Sequence, residues 1–176
     1  MGQQAGKIRQ LNRILRKVRS YKDTMRALSD EELSHLTQVY KERLAAGETL
    51  DALLPEAYAA VCEADYRILG KFPYDAQVLG AIALHQGYLA EMNTGEGKTL
   101  VATMPLYLNA LTGKSTILLT TNEYLVLRDA EEMGQVYRFM GLTISAGVSE
   151  NPEKRFSNAE KKVIYSADIV YTTHAV

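Results

Sequence analysis

At 176 residues, 47% of them hydrophobic and 23% charged, the chain has the composition of an ordinary globular domain and enough apolar material to bury a real core. Its single cysteine, Cys62, excludes an internal disulfide and a thiolate zinc site, which suits a reducing compartment, and reads most simply as a small buried apolar residue on a helix. No apolar run is long enough to span a bilayer, no signal-peptide core follows the basic N-terminus, and Gly6 breaks the myristoylation pattern that Gly2 begins.

The net charge of −1 conceals an asymmetry, because residues 1–28 sum to +7 and the other 148 residues to −8. Within the basic stretch Ile8, Leu11, Leu15, Val18, Tyr21, Met25 and Leu28 recur at three- and four-residue spacing. This predicts a helix with an apolar stripe opposite Arg9, Arg13, Arg16 and Lys17. Such a helix either lies on anionic lipid or a partner, or packs its stripe on its own domain and solvates its charges. Ser29-Asp30-Glu31-Glu32 is a capping box that opens a second helix to about Ala46, with Gly47 as its stop. A third runs from about Leu50 to Leu69, tolerates Pro55 near its start and ends at Gly70. His35 has no nearby partner and reads as solvated. Residues 1–70 therefore form a helical N-terminal segment without a catalytic constellation.

From residue 71 to 176 the rhythm becomes strand and helix in alternation. Asp75 to Gln86 is predicted helical, Tyr88 to Glu91 a strand, Leu100 to Leu111 a helix, and Thr116 to Thr120 a buried parallel strand. Asn122 caps a helix to about Met140, Leu142 to Val148 is a strand, 153–166 a helix, and Ile169-Val170-Tyr171 a last strand. The pattern implies an α/β fold with a parallel doubly wound sheet and ligands at the carboxyl ends of its strands. The segment 92–99, Thr120-Thr121-Asn122 and Thr172-Thr173-His174 stand at such ends.

Met92-Asn93-Thr94-Gly95-Glu96-Gly97-Lys98-Thr99 reads as a phosphate-binding loop. A polyphosphate needs several backbone N–H donors converging on it, and a tight turn built on Gly95 and Gly97 allows that approach. Lys98 supplies a point charge for the outer phosphates and the Thr99 hydroxyl is placed to ligate Mg²⁺. The strict pattern begins with glycine where Met92 stands, and a glycine-lysine-threonine triplet alone is a weak signal. An ordinary glycine turn is the competing reading. The apolar run before the loop and the helix after it, whose dipole would add to phosphate binding, favour the phosphate loop.

Glu91 to Thr103, followed by Pro105 to Lys114, resembles the first nucleotide-binding fold of SecA, the motor ATPase of bacterial protein export. Leu28 to Leu33, Gly47 to Asp51, Leu53 to Ala57, Asn122 to Leu125 and Arg128 to Glu131 are similar to it as well. The resemblance implies a RecA-like P-loop NTPase sheet, incomplete in 71–176. It also places an adenine-reading motif at Tyr74-Asp75-Ala76-Gln77, in which the Gln77 amide donates and accepts in one plane and Tyr74 packs near the base. Lys71 and Phe72 depart from the family's common residues. The candidate nucleotide-binding set is thus Tyr74, Gln77, Thr94, Gly95, Glu96, Gly97, Lys98 and Thr99, with Lys98 and Thr99 as catalytic candidates and Thr99 as metal ligand.

Asn93, where the housekeeping members carry a basic residue, and Thr172 to Val176, which replace a glycine-threonine-asparagine-asparagine-glutamate stretch, resemble the accessory Sec paralogue. That branch exports selected surface glycoproteins in some Gram-positive bacteria. The resemblance further implies ATP or ADP with Mg²⁺, and a preprotein substrate. As partners it implies the membrane Sec channel with accessory Sec proteins, anionic lipid at the N-terminal helix, a homodimer in the full-length form and no nucleic acid. It implies a protein that is cytoplasmic and peripheral on the cytoplasmic face of the membrane. Family members are several times longer, so the expectation is an N-terminal fragment. It would stop before the acidic Mg²⁺ and water-positioning motif, lack the second nucleotide-binding fold, and hydrolyse ATP weakly or not at all. Asp168 precedes Ile169 and stands at the wrong end of its strand to be that acid. An RNA or DNA helicase shares this fold but should line its strand ends with Arg and Lys, where this chain offers Arg128. A non-catalytic interaction module with a vestigial loop is the third reading.

Overall fold

The apolar stripe of the N-terminal helix is used inside the molecule. In a computed structural model that describes residues 2–93, 95–149, 151 and 153–174, with side chains from residue 5 onward, the stretch forms α1 (Gly2–Ser20) and α2 (Lys22–Ala27), broken at Tyr21. Leu15, Val18 and Met25 are buried against α4 (Leu50–Leu69) and α5 (Asp75–His85), while Arg9, Arg13, Arg16 and Lys17 stay exposed. Of the two readings of this helix, the packing of its stripe on its own domain is realised. Its exposed surface carries these charges, with Ile8 of the stripe 54% exposed beyond the packed part.

The helix α3 (Asp30–Ala45) begins with the expected reciprocal cap. The Glu32 N–H donates to Ser29 Oγ at 3.1 Å and the Ser29 N–H donates to Glu32 Oε2 at 2.7 Å. The central helix α4 buries most of its length and ends at Gly70, whose left-handed φ of 69° a side-chain-bearing residue would adopt at a cost. Arg67, held by Glu63 of the same helix at 2.8 Å, ties it to the preceding segment by donating to Asp30 at 2.9 Å and the Leu28 carbonyl at 2.8 Å. Cys62 is fully buried on α4, and burial pushes its thiol well above the usual range, so it is inert as the sequence suggests. His35 is exposed.

The sheet follows the helix α6 (Lys98–Ala110). It comprises β1 (Thr116–Thr120), β2 (Ile144–Ala146) and β3 (Ile169–Thr173), with α7 (Glu123–Phe139) between β1 and β2 and α8 (Asn158–Ile164) before β3. All pairings are parallel in the order β1-β3-β2, with Thr120 beside Thr173. The central strand β3 is buried throughout, as an apolar parallel strand should be. Asp168 accepts from the Thr143 N–H at 2.8 Å and joins the amino ends of β2 and β3, a structural role.

One expected element is corrected. Tyr88 to Glu91 is not a strand but coil, with Leu89 96% exposed. A strand exists by exchanging hydrogen bonds with a neighbour, and among the described residues none lies beside this run. On the edge strand β1, Ile117 and Leu119 are 49% and 53% exposed, so one face of that edge strand is left open while β3 beside it stays covered. The strand expected over 142–148 shrinks to three residues, and the helix expected over 153–166 begins only at the Ser157 capping box.

Candidate functional site

Four helices, α3, α4, α7 and α8, start at Ser29, Thr49, Asn122 and Ser157, whose side chains accept a first-turn N–H. The helices α2, α5 and α6 start without such a cap, and of these three only α6 starts at a glycine. Its N-cap is Gly97, with φ 76°, and among the described residues no side chain caps its first turn, whose Leu100 N–H donates to the Gly97 carbonyl at 3.0 Å. Gly95, at φ 88°, makes the second left-handed bend of the loop. A Cβ on Gly97 would stand 2.5 Å from Gln77 Nε2 and push that amide aside, and the left-handed φ itself favours glycine there.

Gln77 is 6% exposed and bridges two segments. Its Oε1 accepts from the Tyr74 N–H at 2.8 Å, and its Nε2 donates to the Glu96 carbonyl at 3.0 Å. The predicted base-reading glutamine is thereby brought against the predicted phosphate loop. Tyr74 caps the same helix but is 76% exposed. The Glu96 carboxylate turns back on the loop, accepting from the Asn93 N–H at 2.6 Å and Nδ2 at 3.0 Å. Lys98 is exposed at the head of α6. Thr94 lies outside the described residues, as do Ala175 and Val176.

Two cavities flank this loop. One of about 470 Å³ lies between the 70–77 segment, Gly95, Gly97, Thr99 and the α7 residues Glu132 and Met133. The other, about 590 Å³, runs between Leu11 of α1, α5 and residues 90–97. Both are in the size range of a small-ligand site. The Lys71 ammonium meets Glu132 at 2.8 Å across the first, joining the 70–74 loop to α7. The strand ends at Thr120-Thr121-Asn122 and Thr172-Thr173-His174 line neither cavity.

Three participants escape a reading by spacing. The Asp129 carboxylate on α7 lies 3.5 Å from the Thr99 hydroxyl, and its other oxygen accepts from Arg128 Nε at 2.9 Å and Nη2 at 2.7 Å. Lys71 and Glu132 form a second, and Arg19 a third. Each acts across a gap of thirty or more residues, which tertiary packing closes and local pattern does not reveal. Among the described residues no cluster of three or more acidic, histidine or cysteine side chains is poised for a metal. Thr99 and Asp129 are nevertheless oxygen donors of the kind Mg²⁺ takes when phosphate and water supply the rest of its shell.

Comparisons with known proteins point to one family. Residues 1–175 match the family described as the SecA DEAD-like domain. The chain is 63% identical over 168 residues to protein translocase subunit SecA 2 of Streptococcus sanguinis, and 60% identical over 168 residues to that of Streptococcus gordonii. It is 50% identical over 169 residues to that of Staphylococcus aureus. Each match covers 96% of this chain and 21% of the relative, so the chain spans about a fifth of the length of these curated relatives.

Proposed function

Since the chain belongs to the SecA family through its DEAD-like domain, we propose that it is the ATP-binding N-terminal part of a protein-export motor of the SecA 2 type. Residues 1–70 are its helical front and residues from 71 onward its first nucleotide-binding fold. The observation that carries the proposal is the uncapped amino end of α6 beneath a two-glycine loop, opening on a cavity of nucleotide size.

In this reading the first-turn N–H groups of α6 and the Lys98 ammonium bind the outer phosphates of ATP or ADP. The Thr99 hydroxyl, with Asp129 3.5 Å from it, would hold Mg²⁺, which when bound would neutralise charge on the phosphates. Gln77 keeps one N–H and one carbonyl lone pair beyond its two internal hydrogen bonds. Those are what the acceptor N7 and the amino group of adenine need. Tyr74, exposed at the head of α5, covers the base. Thr94, Gly95 and Glu96 complete the loop.

Hydrolysis coupled to preprotein movement through a Sec channel belongs to the longer protein, as do accessory Sec partners and a dimer. The exposed basic face of α1 would meet anionic lipid on the cytoplasmic side mainly by charge, most of its apolar stripe being packed inside. Calorimetric titration with ADP and Mg²⁺ tests the nucleotide reading. Saturable binding that inorganic pyrophosphate displaces supports it, and no heat at millimolar nucleotide contradicts it. Nucleic-acid binding that falls steeply with salt would instead favour a helicase.

A further inference from the structure

We propose that Arg19, in the last turn of α1, is a positioning residue for the base-side wall of the nucleotide cavity, an inference that rests on the nucleotide reading above. Its guanidinium takes three features of one short segment. Nε donates to Asp75 Oδ1 at 2.7 Å, Nη2 donates to the Pro73 carbonyl at 2.8 Å, and the guanidinium carbon stands 5.2 Å from the centre of the Phe72 ring.

Phe72 lines the cavity, while Arg19 does not. Residues 71–74 are coil between the left-handed Gly70 and the start of α5, with no helix or sheet ladder to fix them. Pro73 is buried, has no N–H, and without Arg19 its carbonyl loses this donor. Asp75 opens the helix that carries Gln77, and the Gln77 amide in turn accepts from the Tyr74 N–H. The clamp therefore fixes both the aromatic wall and the glutamine without touching a bound nucleotide. A planar, forked cation suits this task, since a lysine ammonium is a point charge without the guanidinium's fixed fork.

The clamp holds the base side of the site and reaches the loop at the head of α6 only through the Gln77 to Glu96 hydrogen bond. This separates it from a general structural role. Calorimetry with two probes, ADP and inorganic pyrophosphate, reads the difference. Arg19→Ala should weaken ADP about tenfold, on the scale of one lost charge-assisted contact, and leave pyrophosphate unchanged. Arg19→Lys should recover part of the loss, and Arg16→Ala, at an exposed neighbouring position, should change neither.

Equal weakening of both probes, or of neither, overturns the inference. Should Arg19→Ala fail to fold, Asp75→Asn, which spares the Pro73 contact, should give a smaller loss confined to ADP, and the absence of that loss overturns it equally. A wild-type protein that binds neither probe brings down the nucleotide reading and this inference together. One that binds both while the ratio stays fixed in the variants brings down this inference alone.

Discussion

The helical front and the loop region treat their polar groups in opposite ways. In α3 and α4 of the front, helix ends are answered from within, by Ser29 and Thr49. Charges there are answered too: Arg43 meets Glu48 and Glu56, each at 2.7 Å, and Arg67 meets Glu63 and Asp30, while the basic face of α1 stays open. Around the loop, α6 starts on a glycine without a cap, Lys98 is exposed, and Leu89, Ile117 and Leu119 present apolar surface. A region that satisfies itself is scaffold. One that leaves donors and apolar surface open has room for a ligand and for more protein, in line with relatives five times as long.

The largest expected effect breaks the comparison on the loop side. Lys98→Ala removes a charge-assisted contact of about 1.5–3 kcal/mol, so ADP affinity should fall by tenfold or more while the melting temperature stays put. Unchanged calorimetric affinity would return Lys98 to an ordinary surface residue. Next comes the core that carries both regions. The Tyr137 hydroxyl lies 2.8 Å from the Tyr171 hydroxyl, both buried, so Tyr137→Phe leaves a polar group unpaired and should cost about 1–3 kcal/mol in urea unfolding. Its ADP affinity should not move.

Asp65 sharpens the contrast through pH. Burial pushes its carboxyl well above the usual range, against a smaller lowering by the Thr103 hydroxyl at 2.9 Å, and Oδ1 has no partner among the described residues. The folded state thus keeps a proton that the unfolded chain releases near pH 4. Its contribution is complete below that pH and is lost as pH rises toward the folded pKa, by at most about 1.4 kcal/mol per pH unit. Asp65→Asn should flatten this fall in a series of urea midpoints from pH 4 to 7. An identical slope would mean that the group is ionised when folded. The smallest effect belongs to the front: Ser29→Ala should cost about 1 kcal/mol and leave nucleotide binding intact, checked by thermal unfolding alongside calorimetry.

Much of this was legible from local pattern. Ser29, Gly47, Gly70 and Asn122 mark helix ends that the structure reproduces within a residue or two, because caps are local chemistry. The left-handed bends at Gly95 and Gly97 follow from glycine placement, whereas the hydrogen bond from Gln77 to Glu96 joins segments that no local pattern connects. Tyr88 to Glu91 misleads because an apolar run of four residues carries no information about a neighbour with which to pair. Arg19, Lys71 with Glu132, and Asp129 are invisible in sequence for a related reason. Their contacts join segments far apart in the chain, and their residue types are those of any charged surface. The N-terminal stripe left two readings open, and burial of Leu15 and Val18 decides between them.

The central claim is that the open amino end of α6 receives phosphate where capped helices do not. Backbone ¹⁵N–¹H shifts during a pyrophosphate titration test it most directly. The account predicts that Gly97, Lys98 and Thr99 move together and saturate, while the capped first turns at Asp30 to Glu32 and at Glu123 to Leu125 stay still. Shifts of similar size at all of these helix ends, or none at α6, would contradict it.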